Sequence, residues 1–183
     1  MEFFEVIRSR RSIRRFEPRP VEPELLDQLL ESARICQSAD NRQPWRFLPL
    51  SGEDLNAVSD IVLSLFEERE VPREDDAFTS QFAARVIRNA PLLILCFYEH
   101  TNGRLDSDYL SIGAAMEHIC LTATDLGLGA VWIGDTFHTK EKIAAYVGHP
   151  ELTLVGCIAV GHPAEHPDPR PRKAMDEILL EKR

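Results

Sequence analysis

The sequence predicts an α+β domain, and three observations lead to this prediction. The chain has 183 residues, which is the length of one domain, and it contains neither an internal repeat nor a Gly/Ser linker. Four apolar runs have the residue types of β-strands, and they lie among about seven segments of helical periodicity. Because strands and helices do not alternate regularly, we expect an α+β arrangement in a single domain, 1–183.

The elements of the first half follow from apolar spacing and from turn-forming residues. Apolar residues recur at helical spacing near the N-terminus, and Pro23 suits the first turn of a second helix. The polar segment 36–44 predicts a turn, and the acidic stretch after the third helix predicts a solvated connection. We therefore expect helices at 2–9, 23–33, 54–68 and 80–88 and a strand at 45–50.

The second half contains the most apolar segment of the chain, LLILCFY at 92–98. Such a continuous run is typical of a central strand that is covered on both faces. The longest helix is expected at 106–126, ended by Gly127 and Gly129. Its core-facing residues are predicted to be Leu110, Ala114, Ile119, Leu121 and Ala123. Further predictions are strands at 130–133 and 152–160, a helix capped by Thr139, and a last helix from about Lys173.

Composition and charge exclude several classes of protein. The net charge of −9 is unfavourable for general nucleic-acid binding, which needs surplus positive charge. The apolar runs are too short to span a membrane, and the N-terminus lacks the features of a signal peptide. Four cysteines without a CxxC pair favour a reducing, cytoplasmic location. We therefore expect neither a nucleic-acid partner nor a membrane partner.

Common catalytic signatures are absent from the sequence. There is no P-loop, no GxGxxG after a strand and no GxSxG nucleophile elbow. His162 and His166 have metal-ligand spacing only in a helix, which the neighbouring prolines disfavour, so we expect no metal site. The paired acids Asp106 and Asp108 are interpreted as helix-capping residues.

The largest charge anomaly is a run of six arginines within residues 8–19. Only Glu17 opposes them, so this segment carries +5 in an acidic chain. It fits a solvated helix end, a nucleic-acid contact, which is the weakest reading, or an anion site in which Ser12 adds a hydroxyl. Arg170 and Arg172 are two more arginines beside a proline-rich segment at 163–171, which resembles an arm lying across its own core or a partner's.

Several motifs together resemble the nitroreductase family of FMN-dependent oxidoreductases. They are RRSIRRF at 10–16, QSADNRQPW at 37–45, RNAPLLIL at 88–95, IGAAMEHICLTATDLGLGAVWIG at 112–134, the strand-Gly-His-Pro element at 155–163, and RPRKAMDEIL at 170–179. These blocks occur in the family's order and cover nearly the whole chain. The resemblance implies a central mixed or antiparallel sheet flanked by helices, in an intertwined homodimer whose arm, 163–183, reaches the partner.

The resemblance also implies the residues that bind FMN at the dimer interface. In the family, the flavin's phosphate, ribityl chain and pyrimidine edge are held at positions that match Arg10, Ser12 and Arg14. Arg11 matches a position that also touches the cofactor, and the basic residues that close on the phosphate match Arg170 and Arg172. The loop expected to reach the flavin from the other subunit contains Ser38, Ala39, Asn41 and Gln43. The turn whose backbone amides face flavin N5 and O4 is Trp132, Ile133 and Gly134. Gln37, Asp40 and His118 depart from the family pattern.

The activity that the resemblance implies is a ping-pong cycle at one site. NADH or NADPH reduces FMN by hydride transfer to N5, and a flat electrophile such as a nitroaromatic or a quinone then takes the electrons. Because the flavin carries the chemistry, no side chain is expected to act as an essential acid or base. The alternatives are reductive dehalogenation, enone reduction, flavin breakdown and flavin binding without catalysis.

Overall fold

The computed structural model describes residues 1–68 and 74–180, and it confirms the α+β class. The predicted solvated connection falls largely on residues 69–73, outside the described ranges. The described strands are β1 (Trp45–Leu50), β2 (Leu92–Tyr98), β3 (Gly129–Ile133) and β4 (Thr153–Gly161). The described α-helices are α1 (Phe3–Ser9), α2 (Pro23–Arg34), α3 (Gly52–Glu68), α4 (Glu74–Arg88), α5 (Leu105–Asp125), α6 (Lys140–Tyr146) and α7 (Met175–Ile178). Short 3-10 turns lie at Ala39–Asn41 and Asp135–Thr139.

The four strands form one sheet in the order β1-β2-β4-β3, and each neighbouring pair is antiparallel. Of the two arrangements expected, the antiparallel one is therefore observed. The β1–β2 register runs from Trp45 opposite Tyr98 to Leu50 opposite Leu93. The central positions of β2 and β4 explain their nearly continuous apolar sequences, because both faces of each strand are covered.

The side chains of β2 alternate between two apolar layers. Leu93, Leu95 and Phe97 pack against residues of α3, α4 and α6, whereas Ile94 and Cys96 pack against α2 and α5. All seven residues of the strand are buried. The prediction of a central strand covered on both faces is confirmed.

Leu110 and Thr139 do not take the places that the sequence predicts for them. Leu110 of α5 is 76% exposed, because Ser111 and Ile112, and not Leu110, form the buried face of this turn of the helix. Thr139 does not cap α6 with its side chain; its hydroxyl donates to the carbonyl of Thr136 instead. The reason is that a 3-10 turn leads directly into α6, so that this hydroxyl bonds back within the turn.

The arginine-rich segment lies along the outer edge of β3 and against the start of the proline-rich arm. Ser12 bridges Ala130 of β3, and the amide of Ile13 donates to the carbonyl of Ala130 across 3.0 Å. Phe16 bridges Pro163 in antiparallel fashion. Packing of the segment on β3 therefore fixes where its arginines lie.

Among the helices of the described ranges, none is both long and apolar enough to cross a bilayer.

Gly129 allows the close approach of this segment to β3. A Cβ atom built at Gly129 would lie 2.7 Å from Ile13 Cγ2 and 2.8 Å from Ile13 Cβ. We expect Gly129→Ala to lower the free energy of unfolding by about 1–3 kcal/mol, since overpacking forces the neighbouring chain to move. Gly134→Ala is the control, because its Cβ would meet no atom within 4 Å. Denaturant unfolding checks this, and equal values for both variants would contradict it.

Candidate functional site

The structure divides the arginine run into exposed and partly buried members. Arg8, Arg15 and Arg19 are exposed, so the solvated interpretation holds for these three. Arg10, Arg11 and Arg14 are partly buried, and these are the positions that the resemblance assigns to a cofactor. The contacts of this segment with β3 and Glu165, rather than its composition, decide which arginines are turned inward.

Arg10 and Arg11 differ in how their side chains are used. Arg10 Nε lies 3.4 Å from the carboxylate of Glu117 on α5, so its charge is already partly compensated. Arg11 donates through Nη1 to the carbonyls of Arg8 and Arg10, at 2.7 and 2.8 Å. Its Nε is buried and has no hydrogen-bond partner. A buried donor without an acceptor is costly, so an anionic oxygen at this position would relieve that cost.

A cavity of about 340 Å³ lies where the arginine-rich segment meets the start of the arm. Its lining includes Ser9, Arg11, Ile13, Pro163 and His166. A cationic side chain with an unsatisfied donor therefore borders an open volume. A guanidinium in such a place can hold an anionic group, which a merely solvated helix end would not require.

Arg14 is held from its backbone and from its side chain. Its amide donates to Glu165 Oε1 across 2.6 Å, and its Nη1 donates to the carbonyl of Ser12 across 3.1 Å. Its guanidinium also lies over the ring of Phe82, 5.9 Å from the centroid. Arg15 shares Glu165 through its amide, but its side chain is 83% exposed. Glu165 therefore fixes the backbone that separates the two neighbouring arginines.

The predicted loop at 38–43 is a tight turn beside the first turns of α5. Its backbone is closed by Gln43, whose amide donates to Ser38 Oγ across 3.0 Å. Ala39 fastens it to α5, because its amide donates to Ser111 Oγ across 3.2 Å. Asn41 and Gln43 are exposed, and Gln43 Nε2 donates to the carbonyl of Asn41. The loop thus presents two amide side chains on a fixed backbone.

Asp108 is a site feature that sequence reasoning missed. It was expected to cap α5, but it is fully buried and accepts from Arg42 Nε at 2.9 Å and from Thr101 Oγ1 at 2.6 Å. Burial alone would raise its pKa; hydrogen bonds from Thr101 and Arg42 outweigh that effect and hold the pKa below the ordinary value. Asp106, by contrast, accepts from the amide of Ser107 at the helix start. No local sequence pattern marks this pairing, because Arg42 and Asp108 are 66 positions apart.

The predicted turn Trp132–Gly134 ends β3. Trp132 is 44% exposed, and its indole lies over α5 and β4, near Gly113 and Gly156. Ile133 is buried in the core, so only its backbone can serve a ligand. Gly134 follows with open space on its Cβ side. The turn therefore combines an exposed aromatic ring with backbone that a ligand can approach closely.

Two groups of predicted residues are not brought together within one chain. Arg170 and Arg172 are exposed, and Arg172 Nη1 donates to carbonyls of its own segment, those of Arg170 and Pro171. Within residues 1–68 and 74–180, no hydrogen bond or ion pair joins them to Arg10, Arg11 or Arg14. The 38–43 loop is likewise bonded to α5 rather than to the arginine-rich segment.

Comparison with known proteins identifies the family to which this chain belongs. Residues 7–162 match the model of the nitroreductase family, and the chain therefore belongs to that family. It is 28% identical to the “Putative NAD(P)H nitroreductase YfhC” of Bacillus subtilis over 179 residues, which cover 97% of this chain and 92% of the relative.

Two further similar proteins are named for different reactions. A solved structure described as a “putative nitroreductase in complex with FMN” from Desulfovibrio desulfuricans superposes with a TM-score of 0.82 and 28% identity. The match covers 100% of this chain and 98% of that one. The iodotyrosine deiodinase of Thermotoga neapolitana is 28% identical over 97% of this chain and 95% of its own length. The chain is thus similar to proteins named for two different reactions.

Proposed function

We propose that the protein is an FMN-dependent oxidoreductase that passes electrons from NADH or NADPH to nitroaromatics, quinones or similar flat electrophiles. The observation that carries the proposal is Arg11, whose buried Nε has no hydrogen-bond partner and whose side chain borders a cavity. Family membership and the FMN complex of the Desulfovibrio relative support the choice of FMN. The names of relatives such as YfhC support NAD(P)H as the electron donor.

The residues present fit a flavin mononucleotide. Arg10, Arg11 and Ser12 would hold the phosphate end, with Arg170 and Arg172 closing on it from the arm. Each hydrogen bond to a charged group contributes about 1.5–3 kcal/mol, so a few of them suffice for noncovalent binding. The phosphate must compete with Glu117 for Arg10, because these two side chains already form an ion pair.

The remaining residues would serve the ring. FMN, when bound, supplies the two-electron redox chemistry. Arg14, fixed through Ser12 and Glu165, offers a held positive charge that stabilises negative charge on a neighbouring ring edge. Gly134 leaves its backbone open to close approach, and the exposed ring of Trp132 adds an apolar wall. None of these roles requires a side chain to gain or lose a proton.

A homodimer would bring the separated groups into one site. The outer face of α1 exposes Phe3 and Phe4, and the arm exposes a run of apolar residues that includes Leu180, which is 98% exposed. Such apolar surface favours burial against another chain. We propose that residues 1–183 form one flavin-binding domain whose arm, 163–183, lies on the partner. The Ser38, Ala39, Asn41 and Gln43 loop then serves the partner's flavin.

The protein's surroundings are inferred from its thiols. All four cysteines are buried and unpaired. Desolvation raises the pKa of Cys120 and of Cys157 to about 12, which leaves these thiols unreactive. Because free cysteines without disulfides are typical of reducing compartments, we propose a cytoplasmic location.

Reductive dehalogenation is the second candidate, favoured by the likeness to the Thermotoga deiodinase. Steady-state oxidation of NADH and of NADPH, each with 4-nitrobenzoate, 1,4-benzoquinone or 3-iodotyrosine, separates the candidates. We expect NADH or NADPH to be oxidised at least about tenfold faster with the nitroarene or the quinone than with 3-iodotyrosine. A ping-pong cycle should also give parallel double-reciprocal plots. Iodide release without nitroarene or quinone turnover would favour the dehalogenase. A flavin that no acceptor reoxidises would indicate a binding protein.

A further inference from the structure

Asp108 is a buried charge that the proposed flavin chemistry does not use. It lies in the first turn of α5 and is completely buried. One carboxylate oxygen accepts from Arg42 Nε at 2.9 Å, and the other accepts from Thr101 Oγ1 at 2.6 Å. A buried carboxylate is kept in a fold only when it is paired in this way. The pairing therefore specifies where Arg42 must lie.

Arg42 uses all three of its guanidinium nitrogens to connect the loop with α5. Nε donates to Asp108, Nη2 donates to Ser107 Oγ at 2.9 Å, and Nη1 pairs with Asp40 within the loop itself. Gly103 packs closely against the guanidinium of Arg42, because a Cβ atom at position 103 would overlap it. The side chain of Arg42 is therefore only 19% exposed and cannot shift without breaking these contacts.

The backbone on either side of Arg42 has an uncommon conformation that the contacts of Arg42 hold in place. Asp40, Asn41 and Gln43 have φ values of 51°, 53° and 49°, in the left-handed region that side chains with a Cβ atom rarely adopt. Conformations of this kind persist only when surrounding contacts over-determine them, and they cluster at ligand-binding sites. Arg42 lies between Asn41 and Gln43 in the chain, so its contacts hold the segment that contains all three residues.

We propose that Asp108 is a positioning residue: through Arg42 it holds the 38–43 loop so that Asn41 and Gln43 are presented to the flavin. This inference rests on the proposed function, because it needs a flavin for the loop to meet. It assigns a task to two residues that lie outside the predicted cofactor contacts. It also explains why Asn41 and Gln43 are exposed and yet held in a disfavoured conformation.

The test compares Asp108→Asn with Asp60→Asn in holoprotein prepared with FMN. Asparagine keeps the size of Asp108 but removes its charge, whereas Asp60→Asn makes the same change in an exposed ion pair with Arg88, between α3 and α4. We expect Asp108→Asn to weaken FMN binding at least about tenfold and to change the visible circular dichroism of the bound flavin. The control variant should leave the FMN affinity and the visible circular dichroism unchanged. Far-UV circular dichroism confirms that the compared variants are folded.

A second variant keeps the test decisive if Asp108→Asn fails to fold. Arg42→Met/Asp108→Leu removes both charges, so neither is left buried alone. It should fold and show the same loss of FMN affinity and the same spectral change. A folded variant of either kind with wild-type affinity and wild-type visible circular dichroism would overturn the inference. Failure of wild-type protein to bind FMN would instead overturn the proposed function, so the two failures are distinguishable.

Discussion

Replacing Arg14 with alanine is expected to weaken FMN binding by about 10–100-fold, whereas Arg15→Ala should change it by less than about twofold. Arg14 is partly buried, and its guanidinium is held by the carbonyl of Ser12. A lost hydrogen bond to a charged group costs about 1.5–3 kcal/mol, and each 1.4 kcal/mol corresponds to a tenfold change. Arg15 directs its side chain into solvent, where its ion pair with Glu165 contributes little.

The two variants form a matched pair, because each removes one arginine from the same segment. Fluorescence titration of the apoproteins with FMN gives both dissociation constants, and the reduction potential of the bound flavin provides a second readout. We expect Arg14→Ala to lower this potential, since a fixed cation stabilises the anionic charge of a reduced ring. Equal small effects of both substitutions would favour a solvated basic surface over a cofactor site.

Truncation after Pro167 is expected to abolish dimerisation and to weaken FMN binding at least about 100-fold. This end point keeps the contacts that fix residues 14–17, including the Phe16–Pro163 bridge and Glu165. An earlier truncation after Gly161 would remove those contacts as well and would confuse local damage with loss of the interface. The removed segment carries Arg170 and Arg172 together with the exposed apolar residues Met175, Ile178, Leu179 and Leu180.

The double variant Arg170→Ala/Arg172→Ala separates the two tasks of the arm. It retains the apolar residues, so it should remain dimeric while its FMN affinity falls. Sedimentation velocity over a dilution series, with and without FMN, measures the dimer. A ligand bound only by the dimer stabilises it by about 2.7 kcal/mol at a hundredfold excess over Kd. A truncated monomer that retains full FMN affinity would contradict a site shared between subunits.

The elements of the fold could be predicted because their signals are local. The continuous apolar run of β2 and the Pro23 start of α2 depend on residues adjacent in the sequence, and both predictions are confirmed. The face of α5 could not be predicted in full. Ile119 and Ala123 were placed correctly, but Leu110 was not, because the position of the helix on the sheet selects the buried stripe.

Residues of the candidate site could be proposed from the sequence only where a motif marks them. The arginine-rich segment and the 37–45 loop were found from sequence, yet the division into inward and outward arginines depends on contacts with β3 and Glu165. Arg42 and Asp108 are 66 positions apart, and a pair so distant leaves no local pattern. The proposed sharing of the site between chains is equally hidden, since within residues 1–68 and 74–180 Arg170 and Arg172 form no hydrogen bond or ion pair with a predicted site residue outside their own segment.

The most direct test of this account is the flavin content of the purified protein after saturation with flavins and gel filtration. Denaturation releases a noncovalent cofactor, which chromatography then identifies and quantifies against the protein concentration. We predict FMN at about one per chain, because each chain supplies one arginine-rich segment with its cavity. Binding of FAD in place of FMN, or of no flavin at all, would contradict the central claim.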